Sequence, residues 1–143
     1  MTIEELMEEW SGDCSIDVTE PSRELAKIPV LHAKYMRTHS HHNLIVKKLT
    51  FDYQNLKKRK IEYYRGEFSH EDYEETGWEY FVKKTGRDIN IYIDSDNDLN
   101  MLLMKKVIHE EIVNFCQSII KELNNRTFQL NSIVKWEIYS GGK

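Results

Sequence analysis

The sequence is poor in the residues that break helices. It has six glycines and two prolines in 143 residues, and from Val30 to Tyr64 it has neither. It is poor in cysteine as well. Cys14 and Cys116 lie far apart, with no CxxC and no Cys/His spacing, which excludes a zinc finger and suits a reducing compartment. Cys116 falls in an apolar helical pattern and reads as a small buried hydrophobe, whereas Cys14 lies in a polar stretch and reads as a free thiol. No apolar run approaches the length that crosses a bilayer, and the acidic start, Met1-Thr-Ile-Glu-Glu5, is unlike a secretory signal. These absences predict a soluble intracellular protein. GxSxG, GxxxxGK[ST] and GxGxxG are all missing, and Gly141-Gly-Lys143 has no helix after it to form a phosphate loop. The expectation is a protein that is not an enzyme and needs no cofactor.

Charge is plentiful, at 31% of residues, and it is segregated. Residues 1–24 carry eight acids and one base, and residues 66–100 carry ten acids and three bases. Between them, residues 25–65 carry ten bases and two acids. The basic segment culminates in Lys57-Lys58-Arg59-Lys60-Ile61-Glu62-Tyr63-Tyr64-Arg65-Gly66, five cations and two adjacent aromatics in ten residues. Cations neutralise phosphates and aromatic faces stack on unpaired bases, the chemistry of a single-stranded nucleic-acid binder. Contiguous cations ring a helix rather than alternating with acids for i,i+4 pairing. Lys57, Lys58, Arg59, Lys60, Tyr63, Tyr64 and Arg65, with Lys47 and Lys48 earlier in the same segment, are therefore candidate DNA-binding residues. The two tyrosines cannot both be core on one helical stripe, so one is expected to face DNA and the other to pack inward. An acidic protein partner, or a plain solvated helix face, explains the same run by other means.

Two further clusters are weaker. His39, His41 and His42 include an i,i+3 pair, but no HExxH and no partner cysteine accompany them, so no metal site is expected. Asp94-Ser-Asp96-Asn-Asp98 starts like a calcium loop, but the positions for its glycine and terminal glutamate hold Leu99 and Lys105. A helix cap accounts for those acids better.

Along the chain, Thr2 to Glu5 has capping-box spacing and opens a short helix to about Trp10, which Ser11-Gly12-Asp13 stops. Thr19-Glu20-Pro21 starts a second helix that Pro29 interrupts or kinks. Leu31, Tyr35, Thr38, His42, Ile45, Leu49 and Leu56 then fall on four- and three-residue steps, with Asp52 the exception. That seam predicts a long helix ending at Gly66. Ser69 caps a short helix closing at Gly77. Trp78–Val82 and Ile89–Ile93 are β-prone and read as a β-hairpin around residues 83–88. A last helix runs from the Asp94–Asp98 cap to about Tyr139, with a bend near Arg126-Thr127. Its seam is Leu102, Val113, Cys116, Ile120, Leu123, Leu130 and Val134.

The predicted fold is one mainly α domain over 1–143, a long helical hairpin with coiled-coil-like seams and a small β-hairpin. Its parts are N-terminal short helices (1–28), a long basic helix (30–65), an acidic insert (66–98) and a C-terminal assembly helix (99–139). Two helices alone cannot bury both seams, so assembly into a closed homo-oligomer is expected. The residues predicted to form it are Ile112, Phe115, Ile119, Ile120, Leu123, Phe128, Leu130, Ile133, Val134 and Trp136.

Several stretches carry a family resemblance: Thr38-His-Ser40, Leu56-Lys-Lys58, Lys60-x-Glu62-Tyr-Tyr64-x-Gly66, Phe68-Ser-x-x-x-Tyr73, Phe115-Cys116, Arg126-x-Phe128, Ile133 and Gly142-Lys143. In their order and spacing the chain resembles the UvsY family of recombination mediators of T4-like bacteriophages. The resemblance implies a non-enzymatic protein of DNA recombination, repair and replication that binds single-stranded DNA in the cytoplasm of the infected host. It implies a ring-shaped homo-oligomer of hexamer or heptamer type, built through the C-terminal helix. Its implied partners are the RecA-like recombinase UvsX and the phage single-strand-binding protein whose coat UvsX must replace, with no membrane. The family's DNA contacts map to Lys58 and Lys60, and this chain adds Lys57 and Arg59. A non-catalytic helical adaptor whose basic helix binds an acidic protein is the rival reading.

Overall fold

The computed structural model describes residues 1–82 and 88–141. Among the described residues five helices follow in order: α1 (Ile3–Asp13), α2 (Pro21–Tyr64), α3 (His70–Thr76), α4 (Ile89–Asp94) and α5 (Asn97–Tyr139). No strand occurs among the described residues. The contacts divide the chain into two units, residues 1–44 with 108–143, and residues 45–107.

Local chemistry sets most helix ends. Thr2 accepts from the Glu5 backbone while Glu5 accepts from the Thr2 N–H, a complete capping box opening α1. Ser69 and Asp72 make the same reciprocal pair at α3, and Gly77, at φ 68°, closes that helix. At the end of α2 the Glu67 N–H reaches the Glu62 carbonyl and the Gly66 N–H reaches that of Tyr63. This paired ending requires a left-handed residue, and Gly66 sits at φ 76°. Asp96 caps α5 by accepting from the Leu99 N–H.

Three expectations are corrected. α1 runs past Trp10 to Asp13 and caps on Cys14, because the buried Arg126 donates to the Cys14 carbonyl (2.8 Å) and satisfies that helix end. α2 runs unbroken through Pro29. The ring faces solvent while its neighbour Ile28 is buried, so packing on the opposite side sustains the helix across the missing amide. The hairpin is absent where it can be seen: Trp78–Val82 has no regular structure, and Ile89–Asp94 is helical. Of its turn, residues 83–88, all but Asp88 lie outside the described residues. The alternation of Ile89, Ile91 and Ile93 suggests a strand, but Asp88 caps Asn90, and a helical turn brings Ile89, Tyr92 and Ile93 onto one face.

In the unit formed by 1–44 and 108–143, the core is Leu6, Ile28, Tyr35, Ile112, Cys116, Ile119, Leu123 and Leu130. The pairs His42–His109 and His39–Gln117 run in opposite order, so α2 and α5 are antiparallel there. α1 covers this pair as a third helix, with Trp10 edge-on to Tyr35 at 5.5 Å. The expectation that these seams complete their core only by assembly is thus corrected: α1 of the same chain packs on them. The Tyr35 hydroxyl donates to Asp13 (2.7 Å), and Lys34 reaches the same carboxylate (2.6 Å). Burial pushes the Cys116 thiol up to about 11, which leaves it inert.

The buried His42 and the half-buried His109 stack with their Nδ1 atoms 2.8 Å apart, so only one of the two can carry that proton. Burial first, then the neighbouring imidazoles of His109 and His41, hold His42 below the ordinary histidine value. Burial does the same to His109. A histidine depressed in the folded state contributes stability that is complete above its unfolded value, about 6.5, and is lost as pH falls through the folded value. Denaturant midpoints of this unit are therefore expected to drop between about pH 7.5 and pH 5, and the His42→Gln variant to lose much of that drop. An equal drop in the variant would place the sensitivity elsewhere.

Candidate nucleic-acid interface

The unit at 45–107 holds the basic run, and it sorts the cations into two groups. Arg59 and Lys60 turn toward acids of the following segment. The Arg59 guanidinium reaches Asp72 (2.9 Å), Glu62 and Glu75 (both 3.3 Å), and lies 4.7 Å from the Phe68 ring centroid. The hydrogen bond it donates to Asp72 chiefly raises its affinity for the proton. Lys60 is buried. Its Nζ contacts Asp98 (2.9 Å) and Asp96 (3.1 Å) and sits 4.0 Å over the Trp78 ring. Burial opposes the charge on Lys60, but the two carboxylates outweigh it and raise the pKa. Asp96 follows the same logic in reverse: burial is outweighed by hydrogen bonds from Tyr64, the Leu99 N–H and Lys60, and the carboxyl stays below its ordinary value.

Both tyrosines turn inward. Tyr63 is buried, its hydroxyl donates to the Glu79 carbonyl, and its ring meets Phe68, Tyr73, Trp78 and Phe81. Tyr64 stacks on Tyr92 at 5.5 Å and donates to Asp96 (2.6 Å); burial and that carboxylate raise its pKa. The expectation that one ring lies free is corrected. At the end of α2 the chain turns back, so residues 68–81 cover one side of the last turn and α4 the other. Adjacent helical positions then both find partners.

The second group stays in solvent. Lys47, Lys48, Lys57, Lys58 and Arg65 are exposed, and no ion pair to any of them occurs among the described residues. Lys57 lies 6.0 Å from the Tyr53 ring centroid. Lys47, Lys58 and Arg65 stand at intervals that return to one face of a helix, spread over about 27 Å of its length. Gln54, Lys57, Lys58, Ile61 and Arg65, together with the acids Glu62 and Glu67, line an open groove of about 380 Å³ on this surface. Apart from Glu62, which is three residues from Arg59, the acids that neutralise Arg59 and Lys60 lie outside helical i,i+4 reach, so the sequence does not indicate which cations are neutralised. Asp94-Ser-Asp-Asn-Asp98 is identifiable as a cap, but Asp96 is also the counterion of Lys60. Phe51, outside the seam and absent from the predicted site, lies exposed between Lys47 and Lys58.

The predicted assembly residues divide as well. Ile112, Ile119, Leu123 and Leu130 are buried within their own unit. Phe115, Ile120, Ile133 and Val134 are half-buried, and Phe128 and Trp136 are largely exposed.

Residues 9–143 match the family described as "Recombination, repair and ssDNA binding protein UvsY". The chain belongs to the UvsY family. A search of curated proteins returns no match. Among solved structures, the chain is similar to crystal forms of the bacteriophage T4 recombination mediator protein UvsY. One form gives 21% identity, a TM-score of 0.78 and coverage of 98% of each chain. Another gives 19% identity and a TM-score of 0.82, covering 97% of this chain and 99% of that one. The UvsY fold thus accounts for nearly the whole sequence, and the expected phage recombination family holds. Among the described residues no group of three or more histidine, cysteine or acidic side chains is placed to hold a metal, and no helix is long and apolar enough to cross a membrane.

Proposed function

We propose that this chain is a non-enzymatic recombination mediator that holds single-stranded DNA on the exposed cations Lys47, Lys48, Lys57 and Lys58 of α2 and Arg65 just after it. In this reading Arg59 and Lys60 fix the shape of that surface rather than touching phosphate. The observation that carries it is the sorting of the basic run: the cations without carboxylate partners share an exposed surface in a chain of a single-strand-binding family. Each subunit then offers about five cations to the backbone, and a closed homo-oligomer of hexamer or heptamer type multiplies that weak grip by avidity. Bending the strand over such a ring loosens the phage single-strand-binding protein and presents DNA to the RecA-like recombinase UvsX in the cytoplasm of the infected host.

The test is a salt titration of oligo-dT binding by fluorescence anisotropy. Joint replacement of Lys47, Lys58 and Arg65 by Ala is expected to weaken binding for all sequences alike and to flatten the log–log salt slope by about 2 per subunit engaged. An unchanged slope would remove this face as the DNA site and favour the helical adaptor that binds an acidic protein.

A further inference from the structure

Phosphate contacts explain grip but not why a mediator should prefer unpaired strands, which display base faces. That preference needs an exposed ring, and Tyr63 and Tyr64 do not supply one. Phe51 does. It is 65% exposed, and no ring contact to it occurs among the described residues. Tyr80, the other strongly exposed aromatic of the unit, already lies against Tyr73 with ring centroids 5.6 Å apart. Phe51 also has the right neighbours. Lys47 precedes it by one turn and Lys58 follows by two, all within about 40° on the helix, and Lys48 flanks it. The only acid between Lys47 and Lys58 is Asp52, the next residue, which points about 100° away. An exposed phenylalanine amid unpaired lysines gains nothing from solvent, but it matches a strand whose phosphates and base alternate along its length.

We propose that Phe51 is a base-stacking platform: the ring takes the face of one unpaired base while Lys47 and Lys58 hold the phosphates on either side. This deepens the proposed function and rests on it. Stacking tolerates any base, so the contact gives preference for single strands without preference for sequence.

The test compares oligo-dT with an abasic oligonucleotide of the same length, using full-length protein. Phe51→Ala is expected to weaken oligo-dT binding by about 5- to 100-fold. It should leave abasic binding and the salt slope as in the parent, and Phe51→Trp should restore the dT affinity. Parent-like dT binding by Phe51→Ala would overturn the stacking proposal while leaving the phosphate face intact. Equal losses on both oligonucleotides would also overturn it, as would a changed sedimentation coefficient, which would make Phe51 a subunit contact. Absence of salt-dependent dT binding in the parent protein would instead defeat the underlying function.

Discussion

Replacing Lys60 by Ala is expected to destabilise the 45–107 unit by about 2–3 kcal/mol, whereas replacing Lys58 by Ala changes its stability by less than about 0.5 kcal/mol. The two residues belong to the same basic run, and their environments are opposite. The Lys60 side chain is 7% exposed against an Asp96 carboxylate that is 3% exposed. Removing the ammonium strands that carboxylate in the interior. Breaking a buried pair in this way typically costs about 3–5 kcal/mol. The lower figure applies here because Asp96 keeps the Tyr64 hydroxyl and the Leu99 N–H, and because Asp98, the other partner, is half in water. Trp78, directly under Lys60, reports the transition in urea. The DNA arm separates the roles further. Folded Lys60→Ala protein should keep the parent's salt slope, and Lys58→Ala should flatten it by about 0.7 per subunit engaged. A parent-like urea midpoint together with a flattened slope for Lys60→Ala would make Lys60 a phosphate contact.

That contrast marks where sequence reading stops. The capping boxes at Thr2 and Ser69, the glycine stops at Gly66 and Gly77, and the start at Pro21 were all legible, because each is a hydrogen bond or a φ value settled within a few residues. Helices over most of the chain were legible for the same reason, and the order of family motifs matched the whole fold. Contacts across tens of residues were not. Asp72, Asp96 and Asp98 pair with Arg59 and Lys60 only after the chain reverses at Gly66, so a contiguous cationic run looked uniformly available. The paired tyrosines failed as a stacking site on the same ground: partners arrive from residues 68–81 on one side and from Tyr92 on the other. Ile89–Asp94 shows the converse limit, since a six-residue pattern with both alternation and helical spacing is decided by what it packs against.

The second large effect concerns assembly. Truncation from Thr127 onward would remove most of the exposed apolar end of α5, but it would also remove Leu130, which is 1% exposed and belongs to the core of its own unit. Any loss of assembly would then be confounded with loss of fold. The exposed residues offer a sharper cut. Phe128, Trp136 and Tyr139 are 77%, 66% and 84% exposed, and they fall within about 80° of one another on α5. Trp136 and Tyr139 stack at 6.0 Å into one aromatic surface. Large rings kept in water on one face are what a subunit contact uses. Trp136→Glu with Tyr139→Glu is expected to yield species of one or two subunits by sedimentation equilibrium, with unchanged helix content. Single-stranded DNA affinity should fall by about 10²- to 10⁴-fold, although every α2 cation remains, because each subunit then binds without its neighbours. Retention of a parent-sized assembly by this variant would move the interface off the end of α5. The exposed Met101 and Met104 earlier on that helix would be the next surface to charge.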